Sequence, residues 1–413
     1  MISSIHLFGG YGVELEYMIA DKKSLSVKPI ADKIIYDVMG EFVSDVEFKE
    51  TAWSNELVLH VIEIKTNGPR KDLKKLDELF SQNVKDINNI LFKYDCILLP
   101  TGMHPFMDPL KETVLWPHEY NDTYETYNKI FDCRGHGWSN LQSLHLNLPF
   151  ADDKEFKKLH AAIRLLLPII PALSASTPII DGKISGYLDT RLEVYRKNQM
   201  KIPSIAGKII PERVFNKTDY ENFILKKIYS DLSSLDKEGI LHNEWVNSRG
   251  AIARFERNAI EIRIIDIQEC PSADIAIVNA IVNTLKLLIN EKRIKLEKQI
   301  EWNEERLSQI FLNVIKEGEN SLINDEEYLN VFGYTEEKIC SAGELWEHLI
   351  EEIIDTFDLQ NEPWIKNVKL IIEQGSLSTR ILNSLKGDFS NNNIIKTYHN
   401  LSGCLANNKM FIP

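Results

Sequence analysis

The sequence predicts an α+β fold built on an antiparallel sheet, and two features of the 413-residue chain favour this class. Short runs of β-type residues, separated by polar stretches, fill the first 150 residues, whereas the chain after about residue 300 has an almost entirely helical pattern. Strands and helices therefore do not alternate as strictly as they do in a doubly wound parallel sheet. The 44% hydrophobic content is enough for a sizeable core.

Alternating and helically spaced apolar residues place the individual elements along the chain. We expect strands at residues 12–19, 57–65, 96–99 and 143–148, and a strand pair within 254–267. We expect helices at 71–92, 153–167, 273–296, 345–357 and 364–373. The most apolar stretch, 165–180, contains three prolines and is too short to cross a bilayer, so we expect a buried element there. We expect 1–413 to form a single domain, with 300–413 a mainly helical C-terminal part.

Composition argues against several functional classes. The formal net charge is −13, whereas nucleic-acid-binding proteins usually carry basic surfaces, so we expect no nucleic-acid partner. Five scattered cysteines without CxxC spacing favour reduced thiols over disulfides or a zinc knuckle. The first ten residues lack the basic start and apolar run of a signal peptide. We therefore predict a cytoplasmic protein without a membrane partner.

Glu14 and Glu16 lie two residues apart in Gly12-Val13-Glu14-Leu15-Glu16, so they project from the same face of the first strand. Burying two carboxylates side by side is unfavourable unless a cation lies between them. Mg²⁺ is the natural candidate, because it binds carboxylates together with substrate phosphates. The alternative is an exposed strand face with two solvated glutamates.

Glu63 interrupts an otherwise apolar strand, where an unpaired carboxylate would be unfavourable. It is therefore either a metal ligand or a residue in a salt bridge. Glu56 lies seven positions earlier in the chain. Because this spacing is odd, both carboxylates can face one site only if Glu56 lies on a turn or a bulge.

Two further strands carry polar side chains on apolar faces. His145 shares a face with Asn147, and its imidazole can bind a metal, although such a histidine is often a hydrogen-bonded core residue. Glu261 and Arg263 also share a face of their strand. They could provide a carboxylate for a metal and a guanidinium for a phosphate, or they could form a structural ion pair. Arg191 lies earlier in the chain, in a polar loop after the buried element at 165–180. The sequence contains neither GxxxxGK[ST] nor GxGxxG, so we expect metals and arginines to hold any nucleotide.

Seven short motifs resemble, in their order, the glutamate–cysteine ligase superfamily, and especially its bacterial carboxylate–amine ligase branch, family 2. They are GVELE at 12–16, Glu56 with EIKT at 63–66, GMHPF at 102–106, LHLN at 144–147, the ALSASTP and GYLDTR loop between 167 and 191, Glu261 with Arg263 and Asp266, and GSLSTR at 375–380. Together they cover roughly residues 5–385. Asn147 departs from the closer branch, where many members have a second histidine.

The resemblance implies a glutamine-synthetase-like fold, in which a curved antiparallel sheet carries helices on its outer face and the active site on its concave face. It implies one catalytic domain that uses ATP and Mg²⁺ (or Mn²⁺). The implied metal ligands are Glu14, Glu16, Glu56, Glu63, His145 and Glu261. The implied catalytic residues are Arg263 and Arg191, the nucleotide-binding residues Arg263 and Arg380, and the substrate-binding residues Asn147, Arg191, Thr66 and Arg254.

The implied reaction is an ATP-dependent ligation. A substrate carboxylate attacks the γ-phosphate to give an acyl phosphate, and an amine then displaces phosphate to form an amide. The partners would be small carboxylates or amino acids and amines, whose identity the sequence does not fix, and a homodimer contact is left open. Two alternatives remain: a phosphotransferase like the guanidino kinases, and a degenerate, non-catalytic nucleotide-binding protein.

Overall fold

The computed structural model describes residues 5–413, so residues 1–4 of the predicted domain and of the N-terminal stretch lie outside the described part. An eight-stranded sheet runs in the order β2-β3-β4-β1-β6-β10-β9, with β5 also pairing β1, and each of its pairings is antiparallel. The strands are β1 Gly12–Asp21, β2 Asp45–Glu47, β3 Thr51–Asn55, β4 Val61–Thr66, β5 Cys96–Leu99, β6 Ser143–Pro149, β7 Ile179–Ile180, β8 Lys183–Ile184, β9 Ala251–Arg254, β10 Ala259–Asp266, β11 Leu322–Ile323 and β12 Cys340–Ser341.

Helices make up most of the remaining chain. They are α1 Ala31–Met39, α2 Leu76–Leu91, α3 Pro109–Glu112, α4 Asn121–Phe131, α5 His136–Ser139, α6 Asp153–Leu166, α7 Pro171–Ser174, α8 Thr190–Tyr195, α9 Lys217–Tyr220, α10 Lys226–Leu232, α11 Pro271–Ile289, α12 Leu296–Gln299, α13 Glu304–Glu317, α14 Glu326–Val331, α15 Ala342–Phe357, α16 Pro363–Gln374, α17 Leu377–Leu385 and α18 Asn391–Asn407. The predicted α+β class, with an antiparallel sheet and helices packed on its outer face, is confirmed.

The two faces of the sheet differ in chemistry because successive strand residues point to opposite sides. Along β1, Val13, Leu15 and Tyr17 are fully buried in the main core, together with the apolar stripes of α2, α6 and α11. Glu14 and Glu16 alternate with them and point to the other face. The apolar face therefore fixes the sheet against its helices, and the polar face is left for a site.

Two strands of the sheet, β2 and β3, were missed, and another was predicted too long. We expected a strand over 57–65, whereas β4 begins only at Val61 and a separate strand, β3, precedes it at Thr51–Asn55. The chain turns between the two, so β3 and β4 form an antiparallel hairpin in which Ser54 pairs Glu63. The mostly apolar residues 57–60 misled the prediction, because they fill the turn rather than extend the strand.

The long apolar helix α11 is shorter than predicted and is a core helix. We expected 273–296, but the helix ends at Ile289, and Glu291 just beyond it has a positive φ of 54°. By length and composition α11 could cross a membrane, yet 72% of its apolar window is buried in the structure. It packs against α2, α6, α15 and α16.

The C-terminal part is helical, as predicted, and covers the sheet at two places. Helices α13 and α15 contribute to the main core. Helices α17 and α18 form a smaller cluster with β5 and the end of β1, in which Tyr398 and Leu401 are fully buried. This part therefore supports the outer layers, and the polar face of the sheet lies elsewhere.

Candidate active site

The polar face of the sheet forms the floor of a cavity of about 1050 Å³. Strand register brings the predicted residues together, because paired residues on neighbouring antiparallel strands point to the same side. Glu14 pairs both His145 on β6 and Lys65 on β4, and Glu16 pairs Glu63. On the next strand, Glu261 pairs Asn147. The residues that line the cavity include Glu14, Glu16, Glu56, Glu63, Lys65, Thr66, His145, Asn147, Arg191, Arg254, Glu261 and Arg263.

Two groups of acidic side chains on this floor have the geometry to hold metal ions. In one, ligand atoms of Glu14, Glu63 and His145 lie within 4.8 Å of one another. In the other, carboxylate oxygens of Glu16, Glu56 and Glu63 lie equally close. Glu63 belongs to both groups and therefore joins them. Glu56 reaches the second group because it follows β3 on the turn, which is the condition that its odd spacing imposed.

The second group carries more negative charge than its surroundings offset. Burial, together with the Glu16 and Glu63 carboxylates, raises the pKa of Glu56 well above its ordinary value. Burial and the Glu14 carboxylate raise the pKa of Glu63 to about 7, although Lys65 and a 2.6 Å hydrogen bond from Ser54 Oγ oppose this. Lys65 Nζ lies 3.2 Å from Glu63 and 2.8 Å from Asp45, so it is shared. These carboxylates therefore favour a bound cation.

His145 lies between the first two acidic strand residues. Its Nδ1 is 3.2 Å from Glu14 Oε2, and its Nε2 is 3.7 Å from Glu16 Oε1. Burial would lower the pKa of His145, but the hydrogen bond with Glu14 and the charges of Glu16 and Glu261 raise it to about 9. Burial would likewise raise the pKa of Glu14, but His145 and Lys65 lower it. The imidazolium thus supplies positive charge at this position. A divalent ion would fit there once His145 has lost its extra proton.

The opposite half of the floor is cationic. Arg263 Nε donates to Glu261 Oε1 at 2.6 Å, and Arg254 donates to Glu261 Oε2 at 3.1 Å. Burial would raise the pKa of Glu261, but Arg263, His145 and Arg254 lower it to about 2. Both oxygens of Glu261 are thus bound by arginines, and the structure does not place this residue in either acidic group. The ion-pair alternative describes Glu261 as it stands here.

Arg191 lines the cavity, and a buried hydrogen-bond network that joins three of the sequence motifs orients its side chain. Its Nε donates to the carboxylate of Asp266, and its terminal nitrogens lie 3.4 Å from the carbonyl oxygen of Arg263. The same carboxylate accepts hydrogen bonds from Ser176 and Thr177. A Cβ at Gly102 would lie 2.8 Å from Cγ of Asp266. The GMHPF segment therefore needs glycine there, because a side chain would displace the carboxylate that orients Arg191.

Arg380 is placed away from the cavity. It is fully buried, pairs with the buried carboxylate of Glu269, and donates to the carbonyl oxygen of Phe411 at 2.7 Å. Its guanidinium anchors the C-terminal tail instead of facing the sheet. The structure therefore corrects the expectation that Arg380 binds nucleotide, and we leave it out of the proposed site.

Thr66 and Asn147 both line the cavity, but their side chains already have partners in the sheet. Asn147 Nδ2 donates to Glu14 Oε1 at 3.0 Å, and Thr66 Oγ1 accepts from the backbone N–H of Val13 at 3.3 Å. A Cβ at Gly12, which pairs Asn147, would lie 3.0 Å from the Cβ of Asn147. The glycine that opens the GVELE motif thus leaves room for the amide at the cavity wall.

Comparison with known proteins identifies the family of this chain. The sequence model of "Glutamate-cysteine ligase family 2" matches residues 11–394. The chain belongs to this family. A protein of Archaeoglobus fulgidus without a functional name is 34% identical over 403 residues, which cover 97% of this chain and all of the relative. A protein of Bradyrhizobium diazoefficiens, provisionally named glutamate–cysteine ligase 2, is 22% identical over 89% of this chain and 77% of its own length.

Two solved structures share the fold of this family 2 ligase. Glutamate–cysteine ligase from Francisella tularensis, in complex with AMP, superposes with a TM-score of 0.61 at 12% identity, covering 97% of this chain and 88% of that one. A bifunctional glutathione synthetase from Pasteurella multocida gives a TM-score of 0.57 at 13% identity, over 97% and 52%. The resemblance in the sequence motifs is confirmed, and with it the ligase-like fold.

Family membership also decides the class of reaction. The chain is an ATP-dependent ligase that forms C–N bonds, as predicted, and neither the phosphotransferase nor the non-catalytic alternative is favoured.

Sequence reasoning missed several residues of the ligase site. Ser54 and Lys65 lie beside Glu63, and Ser143 donates from both its backbone N–H and its hydroxyl to Glu16. Lys65 could have been found, since it lies two residues after Glu63 on one face of β4. Four aromatic side chains that line the same cavity, Tyr127, Trp138, Tyr195 and Trp245, carried no recognisable motif in the sequence.

Proposed function

We propose that this ligase activates a small carboxylate as an acyl phosphate with ATP and Mg²⁺, and that an amine then displaces phosphate to give an amide. One observation carries the proposal: two overlapping groups of candidate metal ligands face a single cavity together with Arg191, Arg254 and Arg263. Phosphoryl transfer needs charge neutralisation at the transferring group and fixed geometry, and both are offered by side chains on paired strands. The reaction needs no nucleophilic side chain.

The donor set fits Mg²⁺ or Mn²⁺. Carboxylates from β1, β4 and the turn before β4, with one imidazole from β6, are the oxygen-rich ligands that hard divalent ions take. Glu14, Glu16, Glu56, Glu63 and His145 would hold the ions, which would neutralise phosphate charge when bound. Glu261 stays a proposed ligand only if an arginine releases one of its oxygens when substrate binds.

The arginines have separate proposed roles. Arg263 would hold the γ-phosphate, because it lines the same cavity as the acidic groups and is itself oriented by Glu261. Arg191 would hold a phosphate or the acceptor's carboxylate, with Asp266 fixing its direction. Arg254, together with Asn147 and Thr66, would position the substrates.

The metal assignment is tested by binding as well as by turnover. We expect Glu63→Gln to weaken Mg²⁺–ATP binding in calorimetry by at least tenfold and to abolish ADP release with any amino acid tested as the acid. Glu63 is the shared member of both groups, so a neutral amide there removes charge from each. Glu78→Gln, an exposed residue on α2, is the control. Wild-type affinity and turnover in Glu63→Gln would reject the metal site.

The cationic half is tested by Glu261→Ala. This change releases Arg254 and Arg263 from their shared carboxylate, so we expect turnover to be lost while circular dichroism shows a folded protein. Inorganic phosphate and an amide product, measured in the wild type, distinguish ligation from simple phosphotransfer. Full activity of Glu261→Ala would contradict the assignment.

We also propose that 1–413 acts as one catalytic domain in the cytoplasm on small-molecule substrates. The main core supports the domain, because it joins residues from β1 to α18. Limited proteolysis of the purified protein tests the single domain, and light scattering tests for a homodimer contact.

A further inference from the structure

Four aromatic side chains from elements outside the sheet form one wall of the cavity. Tyr127 lies on α4, Trp138 on α5, Tyr195 on α8 and Trp245 on the turn before β9. We call them the aromatic wall. The ring centroids of Tyr127 and Trp138 are 5.2 Å apart, and those of Tyr127 and Trp245 are 5.8 Å apart. Three separate segments thus bring rings into contact, and Tyr195, from a fourth, lines the same cavity.

The wall presents apolar surface to the cavity. Trp138, Tyr195 and Trp245 are only partly buried, although all three line an interior space. Burying apolar surface of this kind under a ligand is favourable. Such a surface is typical of ligand sites when a few polar groups converge on it. The hydroxyl of Tyr195 is buried and has no hydrogen-bond partner among residues 5–413, so it can still bind a ligand group.

Arg263 lies next to this wall. It lines the same cavity as Tyr127 and Tyr195. Burial would lower the pKa of Arg263, but Glu261 and the phenols of Tyr195 and Tyr127 raise it. Arg191 and Tyr195 are four residues apart on α8, so they face the same side of that helix. The wall therefore adjoins the arginines proposed to hold the transferring phosphoryl group.

We propose that the aromatic wall binds the side chain of the acceptor amine, and that the acceptor class is primary amines with an aromatic or bulky apolar group. This inference rests on the proposed function. The adenine of ATP is separated from its γ-phosphate by two phosphates and a ribose, so a surface beside Arg263 is placed for the acceptor. A primary amine near ring faces also gains cation–π attraction before it loses its proton.

The chemistry at this position is a simple acyl transfer. The amine nitrogen forms a bond to the carbonyl carbon of the acyl phosphate, and the bond from that carbon to the phosphate oxygen breaks. Phosphate leaves with the electron pair, and the proton released by the amine ends on phosphate or solvent. The wall would hold the apolar group so that the nitrogen faces the carbonyl carbon.

The experiment first finds the acid without using the amine subsite. Hydroxylamine is a small nucleophile that traps acyl phosphates, so ADP release in its presence identifies the carboxylate among glutamate and other amino acids. With that acid, phenethylamine and ethylamine are compared as acceptors by kcat/KM. We expect phenethylamine to be better by at least tenfold. Absence of ADP release with every acid would reject the proposed function, whereas ADP release with equal use of both amines would overturn only this inference.

Variants then locate the preference. Trp245→Leu should reduce the ratio of kcat/KM for phenethylamine to that for ethylamine by about tenfold, because a ring contact is lost. Trp302→Leu, which removes an indole outside the cavity, should leave the ratio unchanged. A ratio is insensitive to the folded fraction of the sample. An unchanged ratio in Trp245→Leu would overturn the inference.

Binding gives a readout that does not depend on turnover. Phenethylamine should quench tryptophan fluorescence in the wild type, and the double change Trp138→Phe with Trp245→Phe should remove this signal. If ADP quenches these two indoles and phenethylamine does not, the wall binds adenine and the inference fails.

Discussion

Adding one methyl group at Gly102 tests whether Arg191 depends on the buried carboxylate of Asp266. In Gly102→Ala the new Cβ would lie 2.8 Å from Cγ of Asp266 and 2.9 and 3.0 Å from its two oxygens. Overpacking of this kind costs about 1–3 kcal/mol. Weakening of the carboxylate's hydrogen bonds to Ser176 and Thr177 adds about 1 kcal/mol for each bond lost. We therefore expect Gly102→Ala to lose about 2–4 kcal/mol of unfolding free energy.

The same change should reduce catalysis, because Arg191 donates to the displaced carboxylate. A catalytic group that moves by about 1 Å can cost about a hundredfold in rate, so we expect kcat to fall at least tenfold. Urea unfolding followed by circular dichroism gives the stability, and ADP release gives kcat. Gly403→Ala is the matched control, since nothing lies within 4 Å of its added Cβ and it is exposed on α18. If Gly102→Ala has the same unfolding free energy and the same kcat as this control, the reasoning is refuted.

Two further predictions concern groups outside the cavity. Burial lowers the pKa of His60 and of His104 to about 4, below the ordinary value of 6.5. The stability that the folded state gains from keeping these side chains neutral is therefore fully present above pH 6.5 and is lost as the pH drops towards 4. Each histidine can reduce the free energy of unfolding by up to about 1.4 kcal/mol per pH unit in this range. In urea titrations from pH 7 to 4.5, the free energy of unfolding should therefore fall less steeply with pH in His104→Gln than in the wild type. Equal slopes in the two proteins would contradict this. Arg380→Met should cost about 3–5 kcal/mol by leaving Glu269 unpaired, with an unchanged KM for ATP. A raised KM at full stability would instead return Arg380 to the nucleotide site.

Strand parity is the part of the site that the sequence predicts well. Glu14 and Glu16 share a face because they are two residues apart, and the same rule places Glu261 with Arg263. Which strands lie side by side is not contained in that rule, because pairing depends on contacts between distant segments. The motif order supplied this information through the resemblance. Register then brought Glu16 opposite Glu63 without any local signal for it.

Errors arose where distant partners decide the role of a residue. Arg380 lies in a motif with the right residue types, yet Glu269 and the carbonyl oxygen of Phe411 determine where its guanidinium points. The aromatic wall was missed for a related reason. Its rings come from four segments between Tyr127 and Trp245, and no spacing within one segment indicates that they meet.

The sign of the charge on the cavity floor changes in the order of the strands. Carboxylates dominate on β4 and β1, His145 follows on β6, and arginines dominate on β10 and β9. Glu261 lies on β10, at the cationic side of this boundary, where its two arginines lower its pKa. The pKa of Glu63, on the other side of β1 and β6, is raised. A phosphoryl group placed at the boundary would meet cations from both sides: the arginines directly, and ions held by the carboxylates. Rigid strands would thus do for this ligase what a glycine-rich phosphate loop does through backbone N–H groups.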